Sequence, residues 1–418
     1  MAPAAERALL GRTRGKRRRP MRHFIQVLSF DILAKLALGA VTIALIRFMP
    51  VEEYALLTFA VSAAGLAAQI FSAGSNRIYI VGFDRHALAG RVEALLTLQL
   101  IGVAALALLA APFAGSFKGI YHAAAALAGA MVISEFSKTY YQRELRFARY
   151  SGIEMARTAA QGVAVGALLL AYGNRLDAAA VLWAQAGALA LVFCAALCPV
   201  LHWRRLADVS SVGALARSIA AGPYTLLFAY FSIVAVFSQL DVVMVRWLAD
   251  DRVLASYGAA LRYYALLSLA LGAVHAVLLP AIQQAHSSQE LDGLYARHFR
   301  LVLVFAPAVI LAGAAAGWVM PWVDQGRYPD SVAAFRVLAV STVVSFAFSP
   351  HVNMLMKLER FRFLVALAAL ALGVNVLLLL LLVPRYGAIG ASVAMLIAAA
   401  CVTLPIYFES RRLRLQRR

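Results

Sequence analysis

The chain divides into about twelve apolar runs of about twenty residues each, separated by short polar breaks, and no other feature limits its fold as much. A run of that length spans a bilayer as an α-helix, because in hydrocarbon every backbone N–H and C=O must be satisfied within the segment. The runs cover residues 25–48, 54–79, 92–113, 119–137, 152–172, 178–200, 221–247, 253–280, 299–321, 332–356, 361–383 and 387–408. Composition agrees. Hydrophobic residues make up 63% of the 418 and charged residues 14%, against roughly 45–50% and about 25% in a soluble globular chain. The fold class expected is an all-α polytopic membrane protein, with no polar stretch long enough for a separate soluble enzyme.

The formal charge of +19 points to membrane topology rather than to nucleic acid. Arg7, Arg12, Arg14, Lys16, Arg17, Arg18, Arg19 and Arg22 crowd the N-terminal tail, and Arg411, Arg412, Arg414, Arg417 and Arg418 the C-terminal one. Even-numbered connections are basic, with Lys138, Arg143, Arg146 and Arg149, then Arg204, Arg205 and Arg217, then Lys357, Arg360 and Arg362. Odd-numbered connections balance single cations with acids, as in Glu52–Glu53, Arg175 with Asp177, and Asp250–Asp251–Arg252. That alternation is the positive-inside pattern, and it places both termini in the cytoplasm with basic tails suited to anionic lipid. The N-terminus does not read as a cleavable signal, since its basic region and apolar run are both too long.

Weak internal similarity divides the chain in two. Ile46-Arg47-Phe48-Met49, an acidic loop and Tyr54-Ala55 correspond to Val245-Arg246-Trp247-Leu248, an acidic loop and Tyr257-Gly258. Leu145-Arg146-Phe147 returns as Glu359-Arg360-Phe361. Six helices then map onto six in the same orientation, which means parallel repeats about the membrane normal, with the binding site between them. The division expected is a basic tail over 1–24, a six-helix bundle over 25–205, a connecting loop over 206–220, a second bundle over 221–408 and a basic tail over 409–418.

No hydrolytic or nucleotide machinery is visible, and Gly11 through Lys16 lacks the spacing and context of a phosphate loop. No cofactor or metal is expected: Cys194, Cys198 and Cys401 sit in apolar segments and read as packing. Gly162 and Gly166 read as close helix packing. Ionisable groups within the spans are the informative residues, because each costs a few kcal/mol there unless it faces a partner or a cavity. Asp31 and Lys35 lie one turn apart near the middle of helix 1 and Arg262 near the middle of helix 8. Asp241 in helix 7 is placed to pair with Arg262. Arg77 reads as an interface anchor or a cavity cation. Glu154 and Arg157 read as a structural pair at the start of helix 5. His275 reads as a proton-coupling group or as a packed hydrogen-bond donor. Deep cations with few matching anions suit an anionic ligand.

An ordered series of motifs resembles the polysaccharide flippases of the Wzx type, within the multidrug/oligosaccharidyl-lipid/polysaccharide exporter superfamily that also holds MATE exporters and lipid II flippases. It runs from Pro50-Val51-Glu52-Glu53-Tyr54 and Gln142-Arg143-Glu144-Leu145-Arg146-Phe147 through Gly222-Pro223, Asp241 and Tyr257-Gly258-Ala259-Ala260-Leu261-Arg262. It continues with Leu279-Pro280, Gln283-Gln284, Gly326-Arg327-Tyr328-Pro329, Asn375 and Val383-Pro384-Arg385-Tyr386-Gly387-Ala388-Ile389-Gly390-Ala391. The resemblance implies a V-shaped pair of bundles in the bacterial inner membrane, moving undecaprenyl-pyrophosphate-linked oligosaccharide by alternating access. Lys35, Arg77 and Arg262 would line the cavity, Asp31, Asp241 or His275 would couple an ion, and a polysaccharide polymerase and glycosyltransferases would be partners. A MATE-like multidrug exporter is the alternative. A membrane-embedded polymerase or ligase is disfavoured by the short outer loops.

Overall fold

The computed structural model describes residues 36–82, 92–113, 118–144, 146–206, 208–222, 224–284 and 287–415, together with the single positions Leu33 and Gly115. All regular structure among them is helical. The membrane helices are α1 (Leu36–Phe48), α2 (Val51–Gly82), α3 (Val92–Ala110), α4 (Lys118–Arg143), α5 (Phe147–Tyr172) and α6 (Ala178–Leu197). Two short helices, α7 (Trp203–Leu206) and α8 (Val209–Ala221), form the connector. Then come α9 (Thr225–Phe237) and α10 (Leu240–Leu248), which together make one broken span, and α11 (Asp251–Gln284), α12 (Ser288–Asp324), α13 (Ser331–Lys357) and α14 (Phe361–Leu415). The last is two antiparallel helices meeting at Gly387, whose φ of 54° and ψ of −131° no helix accommodates. Counting α9–α10 once and α14 twice, the described residues make twelve membrane helices of a multi-pass protein.

Helix starts follow their sequence signals. Asp177 accepts from Ala180 N at 2.6 Å to cap α6, and Asp250 accepts from Val253 N at 2.9 Å to cap α11. Ser287 and Glu290 form a reciprocal capping box at α12. Several helices run longer than their apolar runs. The fourth continues through Lys138 to Arg143, which puts Lys138 inside a helix rather than in a loop. Large apolar side chains cover the outside, and Trp247, Trp318, Trp322, Tyr172 and Tyr386 project near the helix ends at one end of the bundle, an aromatic belt at the interface. Cys198 and Cys401 are exposed on this outer surface and Cys194 is half-buried, so the thiols face outward more than the core.

The repeat is visible in the turns. Glu144 N donates to Tyr140 O and Arg146 N to Tyr141 O; 214 residues on, Leu358 N donates to Met354 O and Arg360 N to Leu355 O. The second turn is a Schellman closure with Glu359 at φ 54°. Gly173 (φ 53°, ψ −125°) matches Gly387 at the same offset. At the α1–α2 turn Met49 N donates to Leu45 O and Tyr54 N to Pro50 O, and Ala249 N to Val245 O and Leu254 N to Asp250 O repeat this 200 residues later. The structural register therefore pairs Met49 with Ala249, one residue off the match that the motif Arg47/Arg246 suggests, and Tyr54 with Leu254 rather than Tyr257.

The halves meet along α2. A Cβ at Gly74 would stand 2.7 Å from Phe228 O, and one at Gly258 would stand 2.6 Å from Thr58 Cγ2, so these glycines set the approach of α2 to α9 and α11. Ser232 Oγ donates to Ile70 O at 2.9 Å across the same seam. Gly162 and Gly166 do not behave this way. A Cβ at the first would meet only Val41 at 3.6 Å, and at the second nothing within 4 Å. A GxxxG spacing in a chain this rich in small residues does not locate a contact; the facing helix does.

Candidate functional site

A cavity of about 290 Å³ opens between the halves, lined from α1, α2, α4, α5 and α6 on one side and by Gln239 and Arg262 on the other. Its walls carry Ser62, Gln69, Ser134, Glu135, Arg157, Gln161, Gln185, Gln239 and Arg262 among apolar residues. Gln239 reaches it because the seventh span is interrupted. Gln239 leaves helical geometry between α9 and α10, with φ −128° and ψ −18°, which sets the amide opposite Gly65. Broken helices at mid-membrane mark binding sites in transporters.

Arg262 projects from α11 against the buried hydroxyl of Tyr54 on α2. Across the cavity, Arg157 pairs with Glu154 and Lys138 with Glu135 at 2.6 Å, while Glu154 also lies in the field of Lys138. Each acid is thus bound to a base on its own helix. Among the described residues here, three basic and two acidic groups leave one positive charge, carried by Arg262. The cluster is built by two acid–base pairs at i,i+3 on neighbouring helices, and that repeated spacing is the signal by which the sequence marks Glu135, which the charge pattern passes over, and Lys138, which it reads as a loop cation. Arg157 is more than a structural partner of Glu154, since it lines the cavity.

At one end of this cavity the halves are latched. Arg327, in the turn between α12 and α13, donates to Arg47 O at 2.9 Å and Met49 O at 2.7 Å. Tyr328 Oη donates to Ile46 O at 3.3 Å, and its ring lies 5.6 Å from that of Tyr54. These carbonyls at the end of α1 have no helical partner of their own, so a guanidinium from the other half completes them and suits the helix dipole. Burial pushes the Tyr328 hydroxyl well above its ordinary pKa, so it stays a donor.

Asp241 does not pair with Arg262. Its carboxylate accepts from the Tyr257 hydroxyl and from Val242 N at 2.8 Å, and it is 3% exposed, because α10 and α11 present these two side chains to each other inside the second half. Arg77 lies outside the cavity lining. Its guanidinium sits 5.4 Å from the centre of the Phe231 ring at the α2–α9 seam. Asp31 and Lys35 lie outside the described residues, as does the side chain of His275, whose backbone belongs to α11. The second half holds a separate cleft of about 350 Å³ among α9, α13 and both arms of α14, lined by Tyr230, Leu367, Ala371, Val402 and other mostly apolar groups. Among the described residues, no group of three His, Cys, Asp or Glu is placed to hold a metal ion.

No family model and no curated protein matches this sequence. Solved structures do. The lipid II flippase MurJ in an inward closed conformation superposes with a TM-score of 0.75 at 11% identity, covering 93% of this chain and 87% of that one. The Vibrio cholerae MATE transporter VcmN gives 0.61 at 14%, covering 94% and 96%. A MOP superfamily transporter from Pyrococcus furiosus, with a binding pocket of reverse polarity, gives 0.59 at 14%, covering 94% and 95%. The chain has the V-shaped, twelve-helix fold of the MOP exporters. It is similar to flippases and exporters rather than to enzymes.

Proposed function

We propose that this chain is a secondary flippase that moves a lipid-linked oligosaccharide, carried on undecaprenyl pyrophosphate, across the bacterial inner membrane by alternating access. The observation that carries this reading is the cavity between the halves. Among the described residues, its acids are neutralised on their own helices, its walls are rich in amides and hydroxyls, and Arg262 supplies the uncompensated charge. Such a lining suits an anionic, hydroxyl-rich headgroup, and its described carboxylate, Glu135, is already paired with Lys138 rather than offered to an organic cation. Lys35 and Arg77 would assist Arg262 as the headgroup enters. Asp31, Asp241 or His275 would relay the coupling ion, Asp241 from its buried place beside Tyr257. Both termini would lie in the cytoplasm with anionic lipid at the basic tails, and the polysaccharide polymerase and glycosyltransferases would work beside the flippase.

Arg262→Gln should lower surface polysaccharide at least tenfold in a flippase-deleted host, with protein in the membrane unchanged. Normal polysaccharide in that strain would sink the assignment. The second reading is a MATE-like exporter, favoured by the near-complete mutual coverage with VcmN. It predicts that expression changes drug tolerance while polysaccharide stays as it was.

A further inference from the structure

Glu154, Arg157 and Gln161 stand at i, i+3 and i+7 on α5 and therefore share one stripe, about 10 Å long. Arg157 and Gln161 line the cavity. Each of the three keeps one hydrogen-bonding atom without a partner, namely Oε2 of Glu154, Nε of Arg157 and Oε1 of Gln161. Glu154 is 2% exposed and Gln161 7%, so solvent at the surface does not answer for them. A buried polar atom left unpaired costs about 1–3 kcal/mol. Two of these belong to cavity-lining residues, Arg157 and Gln161, with Glu154 behind the lining in its pair with Arg157. Such atoms call for a polar partner.

The types of these atoms restrict the ligand. An ammonium group would satisfy Gln161 Oε1 but meet Arg157. A carboxylate or phosphate would satisfy Arg157 Nε but meet Gln161 Oε1. A group that both donates and accepts, such as neighbouring hydroxyls on a ring, satisfies both. Gln185 of α6, Gln69 of α2 and Ser134 of α4 surround the stripe with more neutral donors and acceptors. The volume of about 290 Å³ lies at the small end of ligand pockets, fit for part of a headgroup.

We infer that the Glu154–Arg157–Gln161 stripe, with Gln185, is a sugar subsite that reads the hydroxyls of the headgroup ring, apart from the charge recognition at Arg262. This inference rests on the flippase reading and extends it. In the subsite Gln161 Oε1 accepts from a ring hydroxyl and Arg157 Nε donates to one, while Glu154 holds Arg157 from behind the lining. The pairing of Glu154 with Arg157 holds both in place and leaves them no net charge, so the subsite does not repel either a neutral or an acidic sugar.

The test uses the full chain in nanodiscs and two probes, undecaprenyl pyrophosphate and the same lipid bearing one N-acetylglucosamine. Wild type should bind the sugar-bearing lipid about tenfold more tightly, the worth of one or two hydrogen bonds. Gln161→Leu combined with Gln185→Leu should bring the ratio close to one. Gln161→Asn, which keeps the amide but withdraws it, should give an intermediate ratio. Arg262→Gln should weaken both lipids in parallel and preserve the ratio. A wild type that does not distinguish the probes, a ratio that survives the double change, or loss of both lipids in the glutamine variants would each overturn the subsite and mean the stripe holds water only. Failure of wild type to bind either lipid would instead overturn the flippase reading beneath it.

Discussion

In the first half, Tyr172-Gly173 turns the chain between α5 and α6 with Gly173 at φ 53° and ψ −125°; in the second, Tyr386-Gly387 turns α14 with Gly387 at φ 54° and ψ −131°. The turns coincide, yet the interiors do not. The first half gives the cavity its ion pairs and three of its four glutamines. The second closes its polar groups on one another, Asp241 on Tyr257 and His351 on Ser410 at 2.6 Å, and leaves a mostly apolar cleft beside them. Backbone geometry at a turn admits few residues, so duplication preserves it. Side chains facing an internal space answer only to what occupies that space. The asymmetry puts most of the cavity's polar groups on the wall of the first half, with Arg262 and Gln239 reaching across from the second.

The widest separation between the halves should appear when the same charge is placed in both. Leu367→Glu in the apolar cleft should cost about 3 kcal/mol of stability, measured by unfolding in one detergent. Met131→Glu, on the wall shared with Arg157 and Arg262, should cost well under half of that. Equal losses would mean that the two interiors are alike in polarity and would break the comparison.

The turns offer a finer contrast. Alanine at either glycine adopts a backbone conformation that costs about 1–3 kcal/mol. At Gly387 the new Cβ also stands 3.2 Å from Val253 Cγ2, whereas at Gly173 it meets open space. Gly387→Ala should therefore lower the unfolding temperature more than Gly173→Ala, and the reverse order would show that packing at the second turn is slack.

The smallest effect belongs to the connector, which has no counterpart in the repeat. Asp208 caps α8 through the hydroxyls of Ser210 and Ser211 and the N–H of Ser211, which hold its carboxyl down to about 2. The folded value lies below the unfolded one, so the cap contributes fully above about pH 4 and is lost as pH falls through about 2. Amide exchange at Ser211 should stay slow at pH 4 and quicken only near pH 2.

Much of the fold was legible because hydrocarbon imposes a length and a polarity that a one-dimensional chain displays directly. The twelve spans and the paired halves follow from apolar runs and from turns such as Leu145-Arg146-Phe147. The site was legible only where a charge interrupts a run, as at Arg262. Lys138 was hidden because a helix end rich in charge reads as a loop, and Arg157 because a pair at i,i+3 looks self-sufficient. Asp241 was matched to the wrong partner, since a facing helix decides which of two reachable groups it meets. Gly162 and Gly166 carry the packing spacing without the contact, and Gly74 and Gly258 carry the contact.

By itself, then, the sequence determined that the chain crosses a bilayer about twelve times, that it does so as six and six, and that Arg262 is a charge in need of a reason. Only the tertiary structure decided which charges cancel, which polar atoms remain unpaired and which wall they share. Those outcomes depend on rotation and approach between helices far apart in the chain, and apolar side chains of similar size leave that geometry open until the packing closes it.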